Sequence, residues 1–252
     1  MTTFIFKGEI MYNIIFGRDF CKPILDDETR RYLEQIMDIA YEVFRDNEKG
    51  EECLYSGNLD GLLNKLGYIK IDNKFVLDKN SGCSDNIIAI AKDGIIIGYF
   101  YYLTMNDELL DYIANPNIND YLKHPENRDD GITGKQLRQW SKEEPNNLFI
   151  IAVAIKKEFQ NTDAIKVLNN TILNELRQKE KDGYKINSIY GDTISDQGER
   201  FSVLYRMKIV SILPAPEWDK SGHNVTVRVC KGEDLDKLLS EGFYIKTKNK
   251  TL

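Results

Sequence analysis

Apolar and polar positions follow two periods along the chain, and each change of period predicts an element. Tyr12 to Phe16 is a short apolar run that predicts a first strand. Asp26-Asp27-Glu28 places acceptor side chains and acids where a helix begins. Leu33, Ile36, Met37, Ala40, Tyr41 and Phe44 then follow at amphipathic-helix spacing. Leu59, Leu62, Leu63 and Leu66 predict a second helix, stopped at Gly67. Two β-rich runs, Asn86 to Ala91 and Ile95 to Leu103, flank Lys92-Asp93-Gly94, whose Asp-Gly pair predicts a hairpin.

From Met105 to Asn147 the pattern breaks. This stretch holds three of the six prolines and many Asn and Asp, with one helix expected around Gly134 to Trp140. It reads as an insertion or lid inside one domain spanning 1–252. Leu148 to Ile155 is apolar at every position, as in a central strand buried on both faces. A long helix follows, with its stripe at Ile165, Leu168, Ile172 and Leu176 and a stop at Gly183. Next come a strand near Ile186 to Tyr190, a helix carrying Phe201, Leu204 and Tyr205, strands at Ile209 to Leu213 and Asn224 to Val229, and a helix from Glu233 to Leu239. The fold class is a mixed α/β sheet flanked by helices. Tyr99-Phe100-Tyr101-Tyr102 reads as strand packing, because alternate members point to opposite faces.

Composition narrows the function. With 42% hydrophobic residues and mixed charges the chain can bury a core, and its net charge of −6 argues against a nucleic-acid or anionic-membrane surface. No apolar run reaches the ~20 residues that span a bilayer, and Met1 to Phe20 lacks the apolar region of a signal peptide. Cys21, Cys53, Cys83 and Cys230 are too scattered for a disulfide or metal framework, and His124 and His223 lack ligand spacing. These features lead us to expect a cytoplasmic protein without a metal. Two readings of the start stay open. The codons of Lys7-Gly8-Glu9 suit a purine-rich ribosome-binding sequence ahead of Met11, which would make residues 1–10 an untranslated leader. Alternatively, Phe4-Ile5-Phe6 begins a strand. No Gly-x-Gly-x-x-Gly, P-loop or Gly-x-Ser-x-Gly motif is present.

The order of elements, and the run Ala154-Ile155-Lys156-Lys157-Glu158-Phe159-Gln160-Asn161-Thr162-Asp163-Ala164-Ile165 after the central strand, resemble the GNAT superfamily of acyl-coenzyme A dependent N-acyltransferases. In that family this junction has the form Arg/Gln-x-x-Gly-x-Gly/Ala. Gln160 falls on the first position and Leu168 on the usual helix leucine, but Asp163 and Ile165 replace the small residues. The motif suits a pyrophosphate because a helix start offers free N–H groups and partial positive charge, and glycine allows close approach. A carboxylate at Asp163 would repel it. The same residues also read as an ordinary helix cap, with Thr162 or Asn161 as the capping residue.

The resemblance implies acetyl-CoA as co-substrate and transfer of its acetyl group to an amine. Val153, Ala154 and Ile155 would meet the cofactor and the thioester, and Gln160, Asn161, Thr162, Asp163 and Ala164 its pyrophosphate. Tyr205 would be the general acid, although it stands one residue off the family register and lacks the Gly-Phe pair that follows it. No acid lies on the central strand, so Asp192 and Glu158 are the candidate bases. The acceptor, a small-molecule or peptide amine, would enter near the second helix and the 105–147 insertion, and the net negative charge favours a cationic one. A homodimer stays open. The departures at Asp163 and Ile165 motivate an alternative, a non-catalytic binding or regulatory module on the same fold. An intact sheet, without a V-shaped split between 148–155 and 186–190, would instead mark an unrelated fold.

Overall fold

Strand β1 (Thr2–Ile5) lies antiparallel to β2 (Met11–Phe16) in the computed structural model, which describes residues 2–5, 11–45, 58–78, 80, 82–117, 132–215 and 224–244. A short α1 (Gly17–Phe20) leads to α2 (Asp27–Ala40), which Asp26 caps by accepting from the Thr29 N–H at 2.7 Å. The stripe expected to run on to Phe44 does so as a π-helical turn, Tyr41–Arg45. Helix α3 (Leu59–Leu66) is capped by Asn58 and ends at Gly67, whose φ of 97° is the left-handed conformation glycine adopts freely.

A small hairpin follows, β3 (Tyr68–Ile71) with β4 (Lys74–Leu77), which no strong hydrophobic alternation announced. Its turn residues Asp72 and Asn73 both have positive φ, the conformation that Asn and Asp tolerate best after glycine. The hairpin of β5 (Ile87–Lys92) and β6 (Ile95–Met105) turns at Asp93 and Gly94, as expected.

Within the expected insertion, α4 (Asp107–Ala114) is a helix the sequence reading missed, capped by Asn106 accepting from Leu109 N–H at 2.9 Å. The helix expected around Gly134 to Trp140 is corrected to a single 3₁₀ turn, Gly134–Gln136. The chain then runs extended, because Arg138 N–H bonds Thr104 O at 3.0 Å and Leu137 bridges Met105. Residues 118–131 lie outside the described part.

The remaining elements are β7 (Asn146–Ile155), α5 (Ala164–Lys181), β8 (Ile186–Thr193), α6 (Asp196–Leu204), β9 (Lys208–Leu213), β10 (Val225–Lys231) and α7 (Glu233–Glu241). The main sheet has the order β1-β2-β5-β6-β7-β8-β10-β9. Every pairing is antiparallel except β7 with β8. A parallel neighbour requires a crossover, and α5 supplies it.

Alternation along the strands divides the core in two. Tyr99, Tyr101 and Leu103 of β6 pack with Leu33 and Ile36 of α2 and Leu63 of α3. Phe100 and Tyr102 point the other way, into a core with Leu168 and Ile172 of α5 and Leu238 of α7. No helix among the described residues is long and apolar enough to cross a membrane.

Candidate functional site: a split between parallel strands

Strands β7 and β8 pair only over their first halves. The register runs from Asn146 opposite Ile186 to Ile150 opposite Gly191 and stops there. Beyond that point β7 continues to Ile155 against β6 alone, while β8 continues to Thr193 against β10 alone. The two strands therefore part, and the V-shaped split is present. The register also shifts at this level: Tyr101 faces Ala152 and Tyr102 faces Ile150, so Ile151 is an extra residue in β7. Such a bulge bends its strand.

Strand alternation then decides which backbone groups face the opening. Lys156 N–H donates to Ile97 O on β6 at 2.9 Å. Counting back by twos, Ala154 also turns its N–H to β6, and Val153 and Ile155 turn theirs to the open side. The side chain of Gln160 confirms the direction, since its Nε2 donates to Ile155 O at 3.1 Å. Of the three strand residues expected to meet a cofactor, Val153 and Ile155 thus present N–H groups to the split. Ala154 directs its N–H toward β6 instead.

The turn at the open end is built around Thr162. Its hydroxyl donates to Phe159 O at 2.7 Å and accepts from Ala164 N–H at 3.2 Å, and Tyr12 OH donates to it at 3.2 Å. Thr162 therefore holds the first N–H of α5 from one residue outside the N-cap, which is Asp163 and makes no side-chain cap hydrogen bond, rather than Thr162 or Asn161 as expected. The backbone N–H groups of Asn161, Asp163 and Ile165 have no acceptor among the described residues. Free donors at a helix start attract anions.

The two departures from the family motif also find a physical account. Asp163 has φ −74°, a conformation that needs no glycine. Its carboxylate pairs with Lys166 at 2.7 Å, with both side chains exposed, so a counter-charge stands beside it. Ile165 is half-buried and packs against the α5 side of the core.

Glu42 was not legible in the sequence. From the π-helical turn after α2, its Oε1 accepts from Lys157 N–H at 2.8 Å and ties that helix to the end of β7. The partners are 115 positions apart, and no motif links them. Of the candidate bases, Glu158 is exposed on the 3₁₀ turn Lys157–Phe159, and Asp192 is half-buried on β8 opposite Val227.

Tyr205, the expected general acid, is placed otherwise. It is 1% exposed, and its hydroxyl donates to the buried Oδ1 of Asn169 on α5 at 3.3 Å. Its ring stacks on Phe201 at 4.3 Å and lies near Phe100 and Phe243. Burial pushes its pKa well above that of an ordinary phenol. In this arrangement Tyr205 is a packed core residue, and nothing in it opens the hydroxyl to a substrate. It follows the last residue of α6, Leu204, as that helix's C-cap.

No protein-family model matches the chain, and no curated protein resembles it significantly. Solved structures do. The loading GNATL domain of CurA from Lyngbya majuscula is similar at 15% identity and TM-score 0.49, over 86% of this chain and 96% of that one. Naa50 of Arabidopsis thaliana, solved with the bisubstrate analogue CoA-Ac-MVNAL, is similar at 8% identity and TM-score 0.47, over 86% and 97%. Ard1 of Thermoplasma volcanium is similar at 12% identity and TM-score 0.46, over 86% and 95%. Likeness at these levels carries no argument about chemistry.

Proposed function

We propose that the protein is an acyl-CoA dependent N-acyltransferase that moves an acetyl group from acetyl-CoA to an amine. The observation that carries the proposal is the parting of β7 from β8 after Ile150 and Gly191, with the N–H groups of Val153 and Ile155 turned into the opening. Those donors suit the amide and thioester carbonyls of an extended acyl carrier. The free N–H groups at Asn161, Asp163 and Ile165 suit its pyrophosphate, and Lys166 offsets the Asp163 charge. Gln160 holds the turn against Ile155 O, and Thr162 fixes the start of α5.

In this reading the chain's residues bind and orient the thioester, and backbone donors stabilise the oxyanion that forms when the amine attacks. The neutral amine adds to the carbonyl carbon, a C–N bond forms as the C–S bond breaks, and the proton that the amine nitrogen sheds balances the one that the departing thiolate takes up. Tyr205 supplies that proton only from a different packing of its ring, so we assign it no acid role here. The test is release of free thiol from acetyl-CoA in the presence of a panel of small amines and short peptides. Amine-dependent thiol release supports the reading, and its absence across the panel contradicts it.

A second reading has its own observation. Tyr205 is buried, and its hydroxyl proton is committed to Asn169, as expected of a non-catalytic binding module on the same fold. That reading predicts tight binding of a thioester or of another ligand at the split without turnover.

A further inference from the structure

A groove of about 340 Å³ lies between α4 and the first halves of β7 and β8. It opens on the α2 side of the sheet, since Tyr190, which lines it, belongs to the core cluster beneath α2. Its two walls carry opposite chemistry. One wall is a face of α4, with Asp107, Leu110 and Asp111 at helical spacing. The other is the sheet, with Asn147 of β7, Tyr190 of β8 and Lys231 of β10.

The sheet wall holds donors that no described group uses. Tyr190 is only 7% exposed, and its hydroxyl has no hydrogen-bond partner among the described residues. Asn147 is 8% exposed. Its Oδ1 is occupied, accepting from Asn187 Nδ2 at 2.8 Å and Ser188 Oγ at 2.6 Å, but its Nδ2 donates to no described group. Both atoms open onto the groove, held by side chains that are otherwise more than nine-tenths buried. Lys231 lines the groove beside them, with Asp107 and Asp111 on the α4 wall, where Asp111 also accepts from Asn115 Nδ2 at 2.8 Å.

We propose that this groove binds a small zwitterion of the amino-acid or dipeptide class. The ligand's ammonium would lie against Asp107 and Asp111, and its carboxylate against Lys231, Tyr190 Oη and Asn147 Nδ2. Two carboxylates facing one lysine exclude a simple anion, and the lysine disfavours a polyamine. The proposal stands whether or not the split takes a thioester. If it does, Tyr190 sits one residue before the point where the strands part, so the groove is placed to supply an amine to it.

Calorimetric titration of the full chain, with no coenzyme present, tests this with alanyl-leucine, its C-terminal amide and its N-acetyl form. The dipeptide should bind, and loss of either charge should weaken binding about tenfold or more, the scale of a charge-assisted hydrogen bond. Lys231→Met should weaken the dipeptide while leaving its amide unchanged. Tyr190→Phe keeps the ring and should weaken the dipeptide by about two- to tenfold. A melting curve that matches the parent's shows that the fold is kept. Equal affinity for all three forms, no saturation in the millimolar range, or unchanged binding in both variants overturns the proposal. Because coenzyme is left out, a failure here is separate from a failure of thiol release.

Discussion

Ile150 and Gly191 are the last partners in the parallel pairing of β7 with β8, and everything beyond them opens. Gly191 is buried, and a Cβ there would stand 3.3 Å from Met207 Cε and 3.6 Å from Ile150 Cβ. The closed end of the split therefore has no room for a branched side chain. Gly191→Val should cost about 1–3 kcal/mol of stability, the scale of overpacking. It should also weaken any ligand of the split, and denaturant melts together with a binding titration check both.

Tyr205 separates packing from catalysis. In the observed arrangement Tyr205→Phe removes one buried hydrogen bond to Asn169 and nothing else. Stability should fall by about 0.5–1.5 kcal/mol, with thiol-release turnover unchanged. A loss of turnover of about 10² or more would instead give the hydroxyl the acid role.

The backbone of Asp163 has no need of glycine, so in the proposed site its effect on a pyrophosphate would come from its charge. Asp163→Asn removes the carboxylate and leaves the turn in place. Coenzyme A affinity should rise severalfold, a modest gain because the site is exposed and Lys166 already offsets the charge. Ile165→Gly should lose stability without gaining affinity, because Ile165 packs on the core. A large gain from Ile165→Gly would show that this side chain had been blocking the site.

Burial also sets a pH limit. It pushes the thiols of Cys21 and Cys230 up to about 12 and that of Cys83 to about 11. In the unfolded chain these thiols ionise near pH 8.5, so the folded state holds the protons longer. Stability from these groups is complete below that pH and is lost as pH rises toward 11–12. Melting temperature should therefore fall on going from pH 8 to pH 10. Native alkylation at pH 8 should spare all three cysteines, and denaturation should expose them. A flat melting profile, or rapid native labelling mapped to Cys21, Cys83 or Cys230, would contradict the burial.

Most of the fold was legible because its elements are strongly periodic. The stripe from Leu33 to Ala40, the Asp93-Gly94 turn and the apolar run through β7 each point to one structure. The β3–β4 hairpin and α4 were missed for a shared reason. They are short, and their signals are single polar residues, positive-φ Asp72 and Asn73 in one and the Asn106 cap in the other, set among many similar Asn and Asp. At the site, the resemblance pointed to the whole stretch Val153 to Ile155, and which of its N–H groups face the split depends on the pairing of β7 with β6. The contact of Glu42 with Lys157, the inward turn of Tyr205 and the pairing of Asp163 with Lys166 all depend on the three-dimensional arrangement of side chains.

The most direct test of the split as a thioester cradle is calorimetric titration of the purified chain with acetyl-CoA and with coenzyme A. The account predicts saturable binding in the micromolar range, on the order of −8 kcal/mol, which weakens when Gly191 is replaced by Val. Absence of binding to either compound, by the parent and by the Asp163→Asn variant alike, would contradict it.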